Sequence, residues 1–105
     1  MDIEWKKEAR KEFLQLPEYI QRKIKSYVDD LPEKGVKWNE VSFLKRENLG
    51  LEVYRLKMMP EDDPALNHRI IFDIMNGKYV IYKVGKRPGF YEDENLSEAA
   101  GRIQD

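Results

Sequence analysis

The 105-residue chain contains no cysteine and only one histidine, His68. The absence of cysteine excludes disulfides and thiolate metal sites, and a single histidine excludes a histidine-rich metal cluster. No apolar run approaches the roughly 18 residues that a membrane span needs, and the charged N-terminus lacks the apolar core of a signal peptide. We therefore expect one soluble, cytoplasmic domain over residues 1–105, with no metal, no cofactor and no membrane partner.

The net charge of −1 hides an uneven distribution of charge along the chain. Residues 66–91 carry five basic residues against one acidic residue, a balance of +4. Residues 92–105 carry five acidic residues against one basic residue, a balance of −4. A basic segment is thus followed by an acidic tail, and the basic segment is a candidate for contact with a polyanion.

The first third of the sequence has the apolar spacing of two helices. Residues 3–5 are compatible with a short first strand, and apolar positions then recur at helical spacing up to Leu16. Pro17 interrupts the pattern and suits the first turn of a second helix, which ends before Gly35. The sequence predicts a helical hairpin over residues 6–33. A short helix over residues 96–103 is predicted to close the chain.

Three β-branched and aromatic runs, residues 51–58, 68–75 and 78–85, are predicted strands. Asn76-Gly77 between the last two is a strong hairpin signal. Residues 34–50 are interpreted as a connecting segment and residues 60–67 as an acidic loop. The expected fold is α+β: an antiparallel sheet of three to four strands with the helical hairpin on one face.

Alternation along the strands sorts their residues into two faces. One face is predicted to be apolar and to receive the helices, with Tyr54, Leu56, Met58, Ile70, Phe72, Ile74, Val80, Tyr82 and Val84. The other face, expected to stay open, collects the cations Arg55, Lys57, Arg69, Lys83 and Arg87. Lysine and arginine are ordinary residues on a solvated sheet face. However, their nearly uniform sign, beside Tyr91, also suits single-stranded RNA or DNA.

Three stretches in this order resemble the RelE/ParE toxin superfamily, and within it the RelE branch of ribosome-dependent messenger-RNA endonucleases. They are FLKRENLGLEVYRLK at 43–57, HRIIFDIMNGKYVIYKVGKR at 68–87 and FYEDENLSEAAGRI at 90–103. The resemblance spans the whole chain and implies a RelE-like fold. It also implies a toxin of a type II toxin–antitoxin system, with a cognate antitoxin, the ribosome and mRNA as partners.

The resemblance further implies metal-independent cleavage, in which the ribose 2′-OH attacks the adjacent phosphate and leaves a 2′,3′-cyclic phosphate. The catalytic candidates are Lys57, Arg69, Arg87 and Tyr91, and the substrate-binding candidates are Arg55, Lys83 and Lys86. Arginines can clamp the phosphate and stabilise the transition state. The general base is Lys57 or Tyr91, and the sequence leaves this choice open. Either residue type needs neighbouring cations to lower its pKa before it can accept a proton.

Two other classes of function remain open at this point. One is a ParE-like toxin that inhibits DNA gyrase through the same fold. The other is a non-catalytic protein, either a basic-faced RNA binder or an inactive member of a toxin–antitoxin pair.

Overall fold

The computed structural model describes residues 2–58, 67–86 and 93–104 of the chain. Four helices and five strands follow one another within these ranges, with two short 3₁₀ turns at Gly35–Lys37 and Glu47–Leu49. The helices are α1 (Lys7–Leu14), α2 (Glu18–Asp29), α3 (Leu31–Lys34) and α4 (Asp93–Gln104). The strands are β1 (Asp2–Trp5), β2 (Val41–Arg46), β3 (Leu51–Met58), β4 (His68–Met75) and β5 (Lys78–Lys86). None of the helices described is long and apolar enough to cross a membrane.

The five strands form one mixed sheet in the order β1-β5-β4-β3-β2. β1 runs parallel to β5, whereas the other neighbours are antiparallel. The α+β class is confirmed, but the purely antiparallel sheet of three to four strands is not. The missed strand is β2, inside the predicted connecting segment. Because β2 is an edge strand in which Leu44 alone is buried, it carries little apolar alternation.

Two helices of the N-terminal region, α1 and α2, pack against one face of the sheet, which we call the hairpin face. The α2 stripe Ile20, Ile24 and Val28 is buried, as a helical repeat of one apolar face requires. These side chains join Leu56, Met58, Ile70, Phe72, Tyr79, Ile81 and Val84 in one core. Helices α1 and α2 lie within the predicted range, residues 6–33, but the helical hairpin is not confirmed as predicted, because that range also contains most of a third helix, α3.

A bulge changes which residues of β5 face the helices. Ile71 pairs with Lys83 but Phe72 pairs with Ile81, so β5 contains one extra residue at this point. Consequently Tyr79, Ile81 and Val84 share the hairpin core. The predicted assignment of Val80 and Tyr82 to that face is wrong, because both belong to a second core on the opposite face.

Helix α4 covers part of this opposite face, which we call the α4 face. Leu96, Ala99 and Ala100 are buried there against Leu44, Leu51, Val53, Ile71, Val80 and Tyr82. The expectation of an open face is therefore wrong for this half of the sheet. The predicted C-terminal helix exists, and it begins three residues earlier than expected, at Asp93.

Candidate functional site

Three of the predicted site residues share one corner of the α4 face. Lys57 on β3 lies directly opposite Arg69 on β4, and Arg69 in turn lies opposite Gly85 on β5. Residues directly opposite each other in an antiparallel pair place their side chains on the same face. Arg55 precedes Lys57 by two residues and shares this face through its pairing with Ile71. We call Arg55, Lys57 and Arg69 the cationic corner.

The members of the cationic corner differ in their exposure to solvent. Lys57 is exposed and Arg55 is half-buried. Arg69 is only 1% exposed. No ion pair joins the Lys57 side chain to any other residue that the structure describes. Lys57 is therefore the cation of this corner that is directly accessible to a ligand.

Two oxygen atoms accept hydrogen bonds from the same nitrogen of Arg69. The Nη1 atom donates to Oδ1 of Asn67 at 2.6 Å and to the carbonyl oxygen of His68 at 2.9 Å. A buried guanidinium requires such acceptors because its desolvation is otherwise costly. Asn67, immediately before β4, and His68, the first residue of β4, thus both contact the Arg69 guanidinium.

Lys83, a predicted substrate contact, lies beside the corner in a different environment. It is 4% exposed, and its Nζ atom is 2.9 Å from Glu12 Oε2 and 3.0 Å from Glu98 Oε2. Arg102 completes the group, with Nη1 2.8 Å from Glu12 Oε1. We call Glu12, Lys83, Glu98 and Arg102 the ion-pair cluster. It joins α1, β5 and α4, and it places two carboxylates on the Lys83 ammonium.

The ion-pair cluster stabilises the charged form of Glu12. Burial alone would raise the pKa of this carboxyl, but hydrogen bonds from Arg102, Lys83 and the Val84 N–H outweigh burial. The net result is a pKa of Glu12 below its ordinary value of 4.5. Glu12 is therefore ionised at neutral pH and neutralises the cations beside it.

The same cluster also completes the edge of β5. The pairing with β1 covers only Lys78–Ile81, which leaves the rest of β5 without a strand on this side. The Val84 N–H donates to Glu12 Oε1 at 3.2 Å, and the Tyr82 carbonyl accepts from Arg102 Nη1 at 2.9 Å. The Glu12 and Arg102 side chains thus supply the hydrogen-bond partners that a neighbouring strand would provide. Buried backbone N–H and C=O groups at a strand edge need such partners.

The remaining predicted site residues lie elsewhere or outside the described chain. Lys86 is exposed and pairs with His68, which places it on the hairpin face with Met58, away from the cationic corner. Arg87 and Tyr91 lie outside the described residues. The structure thus brings Arg55, Lys57 and Arg69 together and separates Lys86 from them.

Tyr82 is a phenol on the α4 face that the sequence pattern assigned to the other side. Burial raises its pKa, and the carboxylates of Asp73 and Glu4 raise it further. A general base must first lose its proton, which a raised pKa opposes. The environment of Tyr82 therefore favours a packing role.

Asn67, Glu12, Glu98 and Arg102 are site neighbours that sequence reasoning missed. Asn67 had a detectable signal, since residues two apart in an extended chain share a face and Asn67 precedes Arg69 by two. Glu12 and Glu98 had no such sequence signal, because they come from helices at opposite ends of the chain. In the part of the chain described, no group of three or more His, Cys, Asp or Glu residues could hold a metal ion.

The arrangement of helices and sheet defines a RelE-like fold. A double arginine-to-alanine mutant of the E. coli toxin RelE in the free state matches with a TM-score of 0.67 and 18% identity, covering 97% of this chain and 96% of that one. The isolated E. coli RelE toxin matches with a TM-score of 0.52 and 16% identity, covering 97% of each chain. This likeness confirms the fold that the sequence resemblance predicts.

The intact E. coli RelBE toxin–antitoxin complex also contains a matching chain. Its TM-score is 0.56 at 15% identity, and the match covers 83% of this chain and 96% of that one. No protein-family model and no curated protein matches the sequence. At identities this low, the structural likeness shows the shared fold alone.

Proposed function

We propose that this protein is the toxin of a type II toxin–antitoxin system and cleaves messenger RNA on the ribosome. The observation that carries the proposal is the exposed Lys57 directly opposite Arg69 at one end of a RelE-like sheet. A cation accessible at a strand end, with two arginines beside it, suits a phosphodiester. The expected products are a 2′,3′-cyclic phosphate and a free 5′-OH, formed without a metal ion.

Each cation of the corner has a distinct role in this proposal. Arg55 and Arg69 hold the scissile phosphate and stabilise its additional charge in the transition state. Because Arg69 is buried in this conformation, its contact with the phosphate requires a local rearrangement when RNA binds. Lys57 or Tyr91 accepts the 2′-OH proton, and Arg87 stabilises the departing 5′-oxygen.

The two remaining lysines receive different assignments. Lys86 is exposed and available to contact RNA phosphates outside the cationic corner. Lys83, in contrast, already binds the carboxylates of Glu12 and Glu98, so we assign it to folding and no longer to substrate binding. The proposed set of substrate-binding cations on the α4 face is therefore smaller than the set that the sequence predicted.

We also propose a cognate antitoxin as the protein partner and the cytoplasm as the site of action. The support for the partner is the similarity to the RelBE toxin–antitoxin complex. This role also requires two further partners: mRNA as the substrate and the ribosome on which the mRNA is bound. Co-purification with the product of a neighbouring small gene tests the partner directly.

The decisive experiment is single-turnover cleavage of ribosome-bound mRNA by the purified chain. We expect Lys57→Ala to slow cleavage by about 10²-fold or more at nearly unchanged ribosome affinity, because a proton acceptor or transition-state contact is lost. Lys78→Ala is the matched control: Lys78 is also an exposed strand lysine, but it lies at the other end of β5, 3.8 Å from Glu4. The control variant should keep the wild-type rate.

A 2′-deoxy sugar at the scissile position should abolish cleavage, since the attacking group is then absent. Cleavage of that substrate, or equal rates for the Lys57→Ala and Lys78→Ala variants, would contradict the proposed mechanism. Loss of cleavage on addition of a chelator, restored by a divalent cation, would also contradict it.

The burial of Arg69 favours one second candidate, a non-catalytic RNA-binding protein of the same fold. In that case Lys57→Ala should only weaken RNA binding, and the salt dependence of affinity should fall by about one unit of slope. No cyclic-phosphate product should form with the wild-type chain. The same cleavage assay therefore separates the two functions.

A further inference from the structure

A cleft next to the hairpin face lies outside both the cationic corner and the ion-pair cluster. It holds an aromatic pair, two acids and one base, and we call it the Trp38 cleft. Its lining residues are Ser26, Tyr27, Asp30, Lys34, Trp38 and Glu40. Its volume of about 330 Å³ is at the lower end of the range for ligand pockets, so the cleft suits one side chain better than a large ligand.

Two stacked aromatic rings form one wall of the Trp38 cleft. Tyr27 and Trp38 are half-buried against the hairpin core, with ring centroids 5.7 Å apart and an angle of 22° between the ring planes. Nζ of Lys34 lies 4.7 Å from the centre of the Trp38 ring. The negative face of an indole ring attracts a cation at this distance. The chain therefore already seats one of its own cations on this wall.

Lys34 is only loosely held in this position. Its ammonium is 3.8 Å from Asp30, too far for a hydrogen bond, and the two side chains are 45% and 44% exposed. An exposed ion pair of this kind contributes little free energy, because water screens it. A cation that binds the cleft more strongly therefore displaces Lys34 at low cost.

Glu40 is the second acid of the cleft, and it is half-buried. Among the residues that the structure describes, none forms an ion pair with its carboxylate. Burial raises the pKa of Tyr27, and the negative charge of Glu40 raises it further, so this charge acts inside the cleft. Because two acids stand against Lys34 alone, the lining residues carry an excess of one negative charge.

We propose that the Trp38 cleft binds an arginine side chain of a protein partner, which replaces Lys34 on the Trp38 ring and pairs with Glu40. A planar guanidinium stacks on an indole and donates two parallel hydrogen bonds to a carboxylate, whereas the compact ammonium of lysine does neither as well. Lys34 is then the internal occupant that covers the ring in the free chain. The cleft shares no residue with the cationic corner, so arginine binding there is independent of the proposed cleavage of mRNA.

A second aromatic cleft of the molecule carries the opposite excess of charge. Its lining includes Trp5, Arg10, Phe13, Lys25 and Asp29. Asp29 is already 2.9 Å from Lys25, which leaves the charge of Arg10 in excess. A cationic ligand is repelled from this cleft, whereas the Trp38 cleft attracts it. Trp5 therefore serves as the internal control for Trp38.

The test uses the whole chain and a short, capped Gly-Ser peptide that carries a single arginine. Matching peptides carry lysine, glutamate or citrulline instead, and citrulline keeps the planar shape of arginine without its charge. Binding is followed in NMR spectra by the indole N–H signals of Trp38 and Trp5, which the Trp38→Phe variant assigns. Three further variants are Lys34→Ala, Glu40→Gln and Lys25→Ala.

The arginine peptide should shift the Trp38 signal in a saturable way and leave the Trp5 signal in place. The lysine peptide should bind more weakly, and the citrulline and glutamate peptides should not bind. Lys34→Ala should tighten arginine binding by about threefold or more, because the internal occupant is gone. Glu40→Gln should weaken it by about fivefold, because the carboxylate partner is lost.

Lys25→Ala is the matched control for Lys34→Ala. Each change removes an exposed lysine that pairs with an acid four positions away, Asp29 for Lys25 and Asp30 for Lys34. Lys25→Ala should leave the affinity for the arginine peptide unchanged. Equal tightening by the two variants would show that the effect comes from net charge and would refute the displacement of Lys34.

Other results would overturn arginine binding in the Trp38 cleft itself. They are the absence of a saturable Trp38 shift, an equal shift of the Trp5 signal, or lysine or citrulline peptides that bind as tightly as the arginine peptide. A short single-stranded RNA that shifts the Trp38 signal where the arginine peptide does not would assign the cleft to nucleic acid instead. A chain that binds the arginine peptide but cleaves no mRNA would contradict only the proposed function.

Discussion

The cationic corner and the ion-pair cluster are neighbours on the same face of the same sheet, yet they hold their cations in different ways. In the cluster, Lys83 is almost fully buried between the carboxylates of Glu12 and Glu98. In the corner, Lys57 is exposed, and Nη1 of Arg69 is held by uncharged oxygens. Lys83 and Lys57 look alike in the sequence, where each is a lysine in a predicted strand.

Under the proposed function, the partners of a cation, more than its position in a strand, separate a folding role from a binding role. A buried lysine with two carboxylates has its charge satisfied within the protein. An exposed lysine among arginines keeps a field that attracts an anion. We therefore expect mutations in the cluster to change stability and mutations in the corner to change chemistry.

The largest effect on stability should come from Glu12→Ala. This change removes one carboxylate from Lys83 and from Arg102, and it leaves the Val84 N–H without its acceptor. We expect a loss of about 3 kcal/mol in the free energy of unfolding, at the lower end of the range for breaking a buried pair, because Glu12 is partly exposed. Urea denaturation at neutral pH measures it.

Two matched variants sharpen this contrast. Glu8→Ala changes an exposed acid of the same helix, 4.0 Å from Lys11, and should alter stability by no more than about 0.5 kcal/mol. Lys57→Ala should be equally mild in stability, although the proposed function expects it to slow cleavage by about 10²-fold or more. If Glu12→Ala were as mild as these two, the ion-pair cluster would have no special role in folding.

The next effect in size is the pH dependence of stability. The folded-state pKa of Glu12 lies below its ordinary value of 4.5, so its contribution is fully present above that value. The contribution is lost as the pH falls through the folded-state pKa, when the carboxyl becomes protonated and releases Lys83 and Arg102. Stability should therefore decline below a pH of about 4.5.

Glu12→Gln isolates this contribution, because glutamine does not titrate. The difference in unfolding free energy between the wild type and Glu12→Gln should be largest near neutral pH and should shrink below a pH of about 4.5. Urea denaturation at several pH values measures the difference. A difference that stays constant down to strongly acidic pH would show that the charge of Glu12 contributes nothing.

Much of the fold could be predicted from local patterns. The α2 stripe, the Asn76-Gly77 turn and the three long strands each carry a strong periodic or turn signal. At the turn, Asn76 and Gly77 adopt the positive φ angles of 52° and 75° that such a hairpin needs. The edge strand β2 escaped prediction because Leu44 is the one buried residue among its six.

The division of β5 between the two faces could not be predicted, because it depends on a bulge. One extra residue reverses the alternation for the rest of a strand, and no local residue preference marks its position. The covering of the α4 face was missed for a related reason. The short apolar pattern of α4 predicts a helix but does not specify the surface on which it lies.

The site was predictable only in part. The resemblance to the RelE branch and the spacing in β3 and β4 indicated Arg55, Lys57 and Arg69, which the structure brings together. The assignment of Lys83 to the substrate ignored Glu12 and Glu98, which lie 71 positions before it and 15 after it in the chain. Contacts over such distances follow from tertiary packing and leave no short-range signal.

The smallest expected effect tests which carboxylate neutralises Lys83. Glu98 has the same distance to Lys83 as Glu12 within 0.1 Å, but its side chain is 57% exposed, compared with 26% for Glu12. Solvent screens an exposed pair, so Glu98→Gln should cost only about 0.5 kcal/mol in the free energy of unfolding. Glu52→Gln, which changes an exposed acid 3.3 Å from Lys45, is the control and should give a value near zero. A loss for Glu98→Gln as large as that for Glu12→Ala would mean that both carboxylates share the neutralisation of Lys83 equally. The charges of α4 would then hold this helix on the sheet as firmly as the packing of Leu96, Ala99 and Ala100 does.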